Sequence, residues 1–288
     1  MSFTKVKEED YTKLVTTLES RLPKSSMGYN VLQMKIKGIH PPSTMTKIYA
    51  FSGNYEPDEE NVFLVIIMQR QNANDTSIIV STPPNPTEEM NSAFEKLVNW
   101  DGKVFFCAVD IAYSAKIIDM CKRRENLDRT SKCDFLYVPL DVARNIRDED
   151  IKGSVDQENL KISQLSPSDA KFVVDNWKFA FPGAEAVMSE QISCIGSAGV
   201  YFGPDSELVS CVSIFTMGSI NALFTSEKVR GKGYGYLTMK KVCQVAGARG
   251  LIPNVQVEIG NTPSNKLMEK VGFIKSHEIE WVWCSPKK

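Results

Sequence analysis

Histidine is nearly absent: only His40 and His277 occur in 288 residues. So few imidazoles argue against a histidine-based zinc site, which needs several clustered ligands. The seven cysteines form no C-x-x-C pair, and an odd, scattered set reads as reduced thiols rather than a disulfide framework. No metal is expected. Long apolar runs are missing too. The longest, Val62 to Met68, is strand-sized and far below the ~20 residues that span a bilayer. A net charge of −1 supplies no general attraction to nucleic acid or membrane, so any anion site must be local. Met1 to Asp10 lacks the apolar core of a secretory signal and is too acidic for a transit peptide, which points to the cytoplasm. The hydrophobic and charged fractions, 42% and 24%, are those of a soluble globular protein, and the length admits two domains.

Two familiar phosphate loops are also absent: the dinucleotide G-x-G-x-x-G and the nucleotide G-x-x-x-x-G-K-[ST]. What stands instead is Val229-Arg230-Gly231-Lys232-Gly233-Tyr234-Gly235. It follows the strand-like Asn221 to Thr225 and opens a helical pattern that lasts to Gly250. The first N–H groups of a helix lack internal partners, and the macrodipole favours an anion there. Glycine lets the backbone approach a ligand closely, while Arg230 and Lys232 add cationic donors. The stretch therefore predicts a site for a phosphate-bearing ligand.

The spacing Arg230-x-x-Gly233-x-Gly235 resembles the pyrophosphate loop of the GNAT acyltransferases. Asn261-Thr262-Pro263-Ser264-Asn265-Lys266-Leu267-Met268-Glu269-Lys270-Val271-Gly272-Phe273 resembles the later GNAT segment N-x-x-[SA]-x-x-L-Y-x-x-x-G-F. The ending Glu280-Trp281-Val282-Trp283-Cys284-Ser285-Pro286 is similar to that of the glycine N-acyltransferases, with one residue fewer between the tryptophans. Shorter similarities are Asp156 to Lys161, Phe202-Gly203-Pro204, Asn99-Trp100 and Phe135 to Val138.

The resemblance implies a mixed α/β GNAT fold in two tandem copies, with helices on both faces of the sheet: residues 1–150 as a degenerate domain and 151–288 as the acyl-coenzyme A domain. It implies acyl transfer from coenzyme A to the amine of a small acceptor such as glycine or another amino acid. A catalytically weak acyl-coenzyme A-binding protein and a peptide N-acetyltransferase are the alternatives. It also allows a mitochondrial location, and a monomer or homodimer. In this scheme the loop amides from Val229 to Gly235 take the pyrophosphate. Leu223, Phe224 and Thr225 pair with the pantetheine arm where Val255 to Glu258 splays away, and Asn261 caps the next helix at that opening.

Both proton-handling positions depart from the family. The place of the family's basic glutamate falls on Ser219, which could position a water. The place of the acidic tyrosine is Met268, which cannot donate. Glu258 is the candidate base, and Tyr234 reads as packing beneath the loop. Cys194, Cys211 and Cys243 read as core. Trp281 and Trp283 fall on one sheet face, where packing is favoured over lining a pocket.

The first half reads as a helix from Glu8 to Arg21, then strands at Asn30–Ile36, Thr46–Phe51, Val62–Gln69 and Ser77–Ser81. A proline cluster and a Thr87-capped helix follow, with alternating strands and helices to Ile146. Proline offers no N–H to a phosphate, so this half has the architecture without the loop. Asp148 to Gln157 reads as the linker, and the last two segments, Phe273–His277 and Ile279–Cys284, as a hairpin-like pair.

Overall fold

The computed structural model describes residues 1–51, 62–70, 75–152, 160–204 and 206–286. The first half runs β1 (Phe3–Lys5), α1 (Tyr11–Glu19), α2 (Ser26–Ile36), β2 (Thr44–Phe51), β3 (Leu64–Arg70), β4 (Asp75–Ser81), α3 (Glu88–Leu97), β5 (Lys103–Asp110), α4 (Ile111–Arg123) and β6 (Leu127–Tyr137). Two short helices, α5 (Leu140–Arg144) and α6 (Asp148–Lys152), lead to the second half. Part of the expected linker is thus helical, and its remainder lies outside the described residues. The second half repeats the order: β7 (Leu160–Ser163), α7 (Ala170–Asp175), α8 (Ala184–Cys194), β8 (Ser197–Phe202), β9 (Glu207–Ile214), β10 (Ile220–Thr225), α9 (Tyr234–Ala248), β11 (Asn254–Glu258), α10 (Thr262–Val271) and β12 (Ile274–Cys284).

Thr87 caps α3 as expected, its hydroxyl oxygen accepting from Met90 N at 3.2 Å. The segment expected as a strand at Asn30–Ile36 is instead the helix α2. Its residues from Ser26 to Leu32 are all buried, polar Ser26 and Asn30 included, so it is covered around its circumference and offers no one-sided stripe. A short apolar run of this kind does not separate helix from strand by period.

The strands form an eight-stranded sheet ordered β1-β2-β3-β4-β5-β12-β6-β11 and a four-stranded sheet ordered β10-β9-β8-β7. The expected terminal hairpin is one continuous strand, β12, which enters the first half's sheet between β5 and β6. The shift in register between Lys275 and His277 accounts for the apparent break in the sequence pattern. β11 pairs with β6 on its other side. Each half therefore completes its sheet with the last strand of the other. The Cys284 thiol on β12 meets the Cys121 thiol on α4, with the sulfurs 2.8 Å apart, deep in the first half's aromatic core.

This exchange leaves β10 and β11 as facing sheet edges with no ladder between them. Their near ends are pinned. The Gly218 carbonyl accepts from Asn30 Nδ2 and from Asn254 Nδ2, each at 2.7 Å. A side chain at Gly218 would come within 2.7 Å of Asn30 Cβ, so the close approach demands glycine. From that apex the two parallel strands diverge.

Candidate functional site

At the far end of β10 the chain makes one 3-10 turn, Glu227–Val229, and reaches the loop. Gly233 sits at the N-cap of α9 with φ 85°, the left-handed region, which releases the next amides along the helix axis. No side chain caps this helix, and a Cβ at Gly231 would meet nothing within 4 Å. Val229 and Tyr234 are buried beneath the turn, and the Tyr234 ring packs on Phe202 with centroids 5.7 Å apart. Gly235 lies close over Thr225: a side chain there would bring Cβ within 3.2 Å of Thr225 Oγ1. Arg230 is held by its own turn: Nε donates to the Thr225 carbonyl at 3.2 Å, and Nη1 pairs with Glu227 at 3.0 Å. Lys232 is exposed beside it.

Along β10, Asn221 pairs with Ser213 and Phe224 with Cys211, so Ala222 and Leu223 together oppose a single residue. Ala222 has φ 59°. This bulge takes two residues of β10 out of the regular ladder, next to the gap. The other edge of β10, up to Thr225, faces the gap unpaired.

The gap opens into a cavity of about 510 Å³ whose floor is one face of the eight-stranded sheet. Gln256 and Glu258 of β11 line one end; Arg70 and Asp75 of β3 and β4 line the other. From β11 to β3 the floor crosses β6, β12, β5 and β4, about 24 Å at the usual strand spacing. Its roof is the segment from Trp177 to Phe181, the start of α8, and the turn from Phe215 to Met217. Two contacts tie roof to floor. Lys178 Nζ reaches Glu258 Oε1 at 3.1 Å, and the Arg70 guanidinium lies 4.0 Å from the Phe181 ring centre while pairing with Asp75 at 2.7 Å.

Trp281 and Trp283 line this cavity. The expected packing role is met in part: both are half-buried, Phe105 stacks on them at 5.1 and 4.8 Å and Trp281 packs against the core, while both also face the cavity. Burial, the largest effect, pushes the Cys133 thiol up to about 11, with a smaller rise from the Glu258 charge, so this wall is neutral.

The candidate residues are thus distributed unequally. Glu258 stands at the cavity end of β11. Ser219 is fully buried beside the apex, its oxygen accepting from Asn221 Nδ2 at 2.7 Å; Asn221, not Ser219, reaches the cavity. Asn261 caps α10, accepting from Ser264 N at 3.2 Å. Met268 is buried in the core, and so are Cys211 and Cys243, while Cys194 is only partly covered. Sequence reasoning missed Asn221, Gln256, Arg129 and the whole roof. Only the period-two spacing of Trp281 and Trp283 signalled the cavity face.

Among the described residues no group of three His, Cys, Asp or Glu side chains could hold a metal, and no helix is long and apolar enough to cross a membrane.

These two halves share one element order, with a helix crossing from β4 to β5 in the first, where the two strands pair, and from β10 to β11 in the second, where they do not, and together they make a two-domain GNAT fold. Residues 197–282 match the family model described as FR47-like protein. The chain is similar to a Drosophila protein of known structure over 99% of both chains, with TM-score 0.82 and 15% identity. It is similar to a tandem GNAT protein from the clavulanic acid biosynthesis pathway, with TM-score 0.56, 11% identity, and 100% of this chain and 99% of that one covered. A GCN5-related N-acetyltransferase from Sphaerobacter thermophilus matches with TM-score 0.51 and 11% identity, covering 98% of this chain and 94% of the other. No curated protein matches the sequence.

Proposed function

We propose that this chain is an acyl-coenzyme A-dependent N-acyltransferase of the glycine N-acyltransferase type, acting on a small amine. The observation that carries the reading is the uncapped N-terminus of α9 at Gly233, set at the open end of a gap between two unpaired strand edges that leads into a cavity. The helix amides and Lys232 suit a diphosphate. The free edge of β10 from Leu223 to Thr225 suits the amides of the pantetheine arm, and the gap suits its narrow thread. The thioester then lies near Asn221 and the bulge, where Ala222 and Leu223 leave the regular register and their amides suit a developing oxyanion.

In the transfer, the neutral amine attacks the thioester carbon, a C–N bond forms, and the C–S bond breaks to give the thiolate. Glu258 takes the proton from the amine, and the thiolate is protonated from water, because Met268 holds the place of a side-chain acid. Lys178 must yield its contact with Glu258 for this to occur. The residues assigned to coenzyme A remain Leu223, Phe224, Thr225, Val229 to Gly235, and Asn261 as the cap beside the opening.

The buried Met268 and the occupied Ser219 hydroxyl favour one second reading, a coenzyme A-binding protein with little turnover. Thiol release from acetyl- and longer acyl-coenzymes with an amine panel tests the first. Coenzyme A at 100 times its Kd is expected to stabilise the fold by about 2.7 kcal/mol in either case. No stabilisation by coenzyme A would refute both.

A further inference from the structure

We propose that the cavity takes an elongated substrate with a carboxylate at its far end, held by Arg129 about 13 Å along the sheet from the level of the proposed base Glu258. This rests on the acyl-transfer reading above.

Of the cations in the cavity lining, Arg70 is paired with Asp75, whereas Arg129 has no acidic partner among the described residues. Its guanidinium lies 4.1 Å from the Trp283 ring centre, and Trp283 stacks in turn on Phe105 and Phe105 on Trp281. Stacking occupies the flat face of the guanidinium and leaves its N–H edge pointing outward. That edge matches a carboxylate with two parallel hydrogen bonds. A lysine could not be held this way.

The register sets the distance. Trp283 is directly opposite Arg129 on the neighbouring strand, so the stack keeps the guanidinium at that level of the sheet. Glu258 is directly opposite Cys133. From Cys133 to Arg129 is four residues along β6, about 13 Å. The amine and carboxylate of an α-amino acid are about 3 Å apart, two single bonds. Such an acceptor cannot place its amine at Glu258 and its carboxylate on Arg129. A spacer of roughly ten atoms can.

The wall between the two ends is Cys133, Ser131 and Trp281, with the Cys133 thiol neutral, so the spacer it suits is apolar. The same carboxylate could end a long acyl group or a long acceptor.

Both sources are tested on the full chain, each against its methyl ester. One arm pairs acetyl-coenzyme A with a straight-chain ω-amino acid of about eleven carbons. The other pairs an ω-carboxyacyl-coenzyme A of similar length with ethylamine. Thiol release gives kcat/KM, and quenching of tryptophan fluorescence by the ω-amino acid or the matching dicarboxylate, without coenzyme A, gives binding.

The acid is expected to exceed its ester by roughly 10- to 100-fold, the weight of a charge-assisted pair, and Arg129→Met to erase that preference while coenzyme A affinity is unchanged. The arm that responds identifies the source. Equal binding of acid and ester to the unaltered protein, or a preference that survives Arg129→Met, overturns the proposal. Carboxylate-selective quenching that depends on Arg129 without thiol release from any thioester keeps the anion site and removes the acyl-transfer reading alone.

Discussion

Asn30, on the buried helix α2 of the first half, donates through Nδ2 to the Gly218 carbonyl of the second half at 2.7 Å. The same side chain donates to the Ile252 carbonyl at 2.8 Å and accepts from Ile252 N at 2.8 Å. One amide thus braces both strands at the apex of the gap. Truncating it leaves buried backbone groups without partners, each costing on the order of 1–3 kcal/mol. Asn30→Ala is therefore expected to lower stability by about 2–4 kcal/mol in guanidinium unfolding. The exchange of β12 and β6 predicts a single cooperative transition for the unaltered chain, and two separate transitions would contradict that coupling.

The loop, its helix and nearly every strand were legible because each depends on local signals: glycine spacing, apolar period and cap residues. Thr87 and Asn261 cap the helices they were expected to cap. The strand exchange was not legible, since period two in Ile274 to Cys284 gives a strand but not its neighbours. The cavity inherits this blindness. Arg129 and Phe105 come from the first half, Asn221 and Trp177 from the second, and only the non-local pairing brings them together. Asn30 failed for the opposite reason: a helix buried on all sides loses its periodic signature.

Acid should weaken the fold through His40. Burial, and secondarily Lys35, lower its pKa from 6.5 to about 4, while the Pro41 carbonyl and Glu190 offset part of this. Its Nε2 lies 3.2 Å from Thr46 Oγ1. Because the folded pKa is below the unfolded one, the unfolded chain binds more protons between those values. Stability is therefore complete above pH 6.5 and falls as pH drops toward 4, by at most about 1.4 kcal/mol per pH unit and less for the solvent that reaches the ring. His277, also lowered chiefly by burial, acts in the same direction. Denaturant titrations between pH 4.5 and 7 should show this slope, and His40→Gln should flatten it. An unchanged slope in the variant would assign the effect elsewhere.

Gly233 separates backbone strain from ligand binding. At φ 85° a valine costs about 1–2 kcal/mol, and its branches would crowd the amides at the start of α9. Gly233→Val should lose that stability and at least tenfold in coenzyme A affinity by calorimetry. Gly272 provides the control: it is also left-handed, with φ 105°, but caps the far end of α10. Gly272→Val should lose similar stability and keep its affinity. If both variants bind alike, the loop is not the anion site.

The proton acceptor is decided by comparing Glu258 with Ser219. Glu258 stands in the cavity with a carboxylate that Lys178 can release, whereas the Ser219 oxygen is buried and already accepts from Asn221. Glu258→Gln keeps the size and removes the basicity, so kcat should fall by about 10²-fold or more with coenzyme A affinity intact. Ser219→Ala removes one acceptor from Asn221 and should cost about 1 kcal/mol of stability, with kcat changed only a few-fold. Lys178→Ala frees the carboxylate and should raise KM or kcat without abolishing turnover. The reverse pattern, a large kcat loss in Ser219→Ala and little in Glu258→Gln, would move the chemistry to the Ser219–Asn221 pair. A hydroxyl cannot hold the amine's proton at neutral pH, so turnover would then have to pass through a water positioned by Asn221.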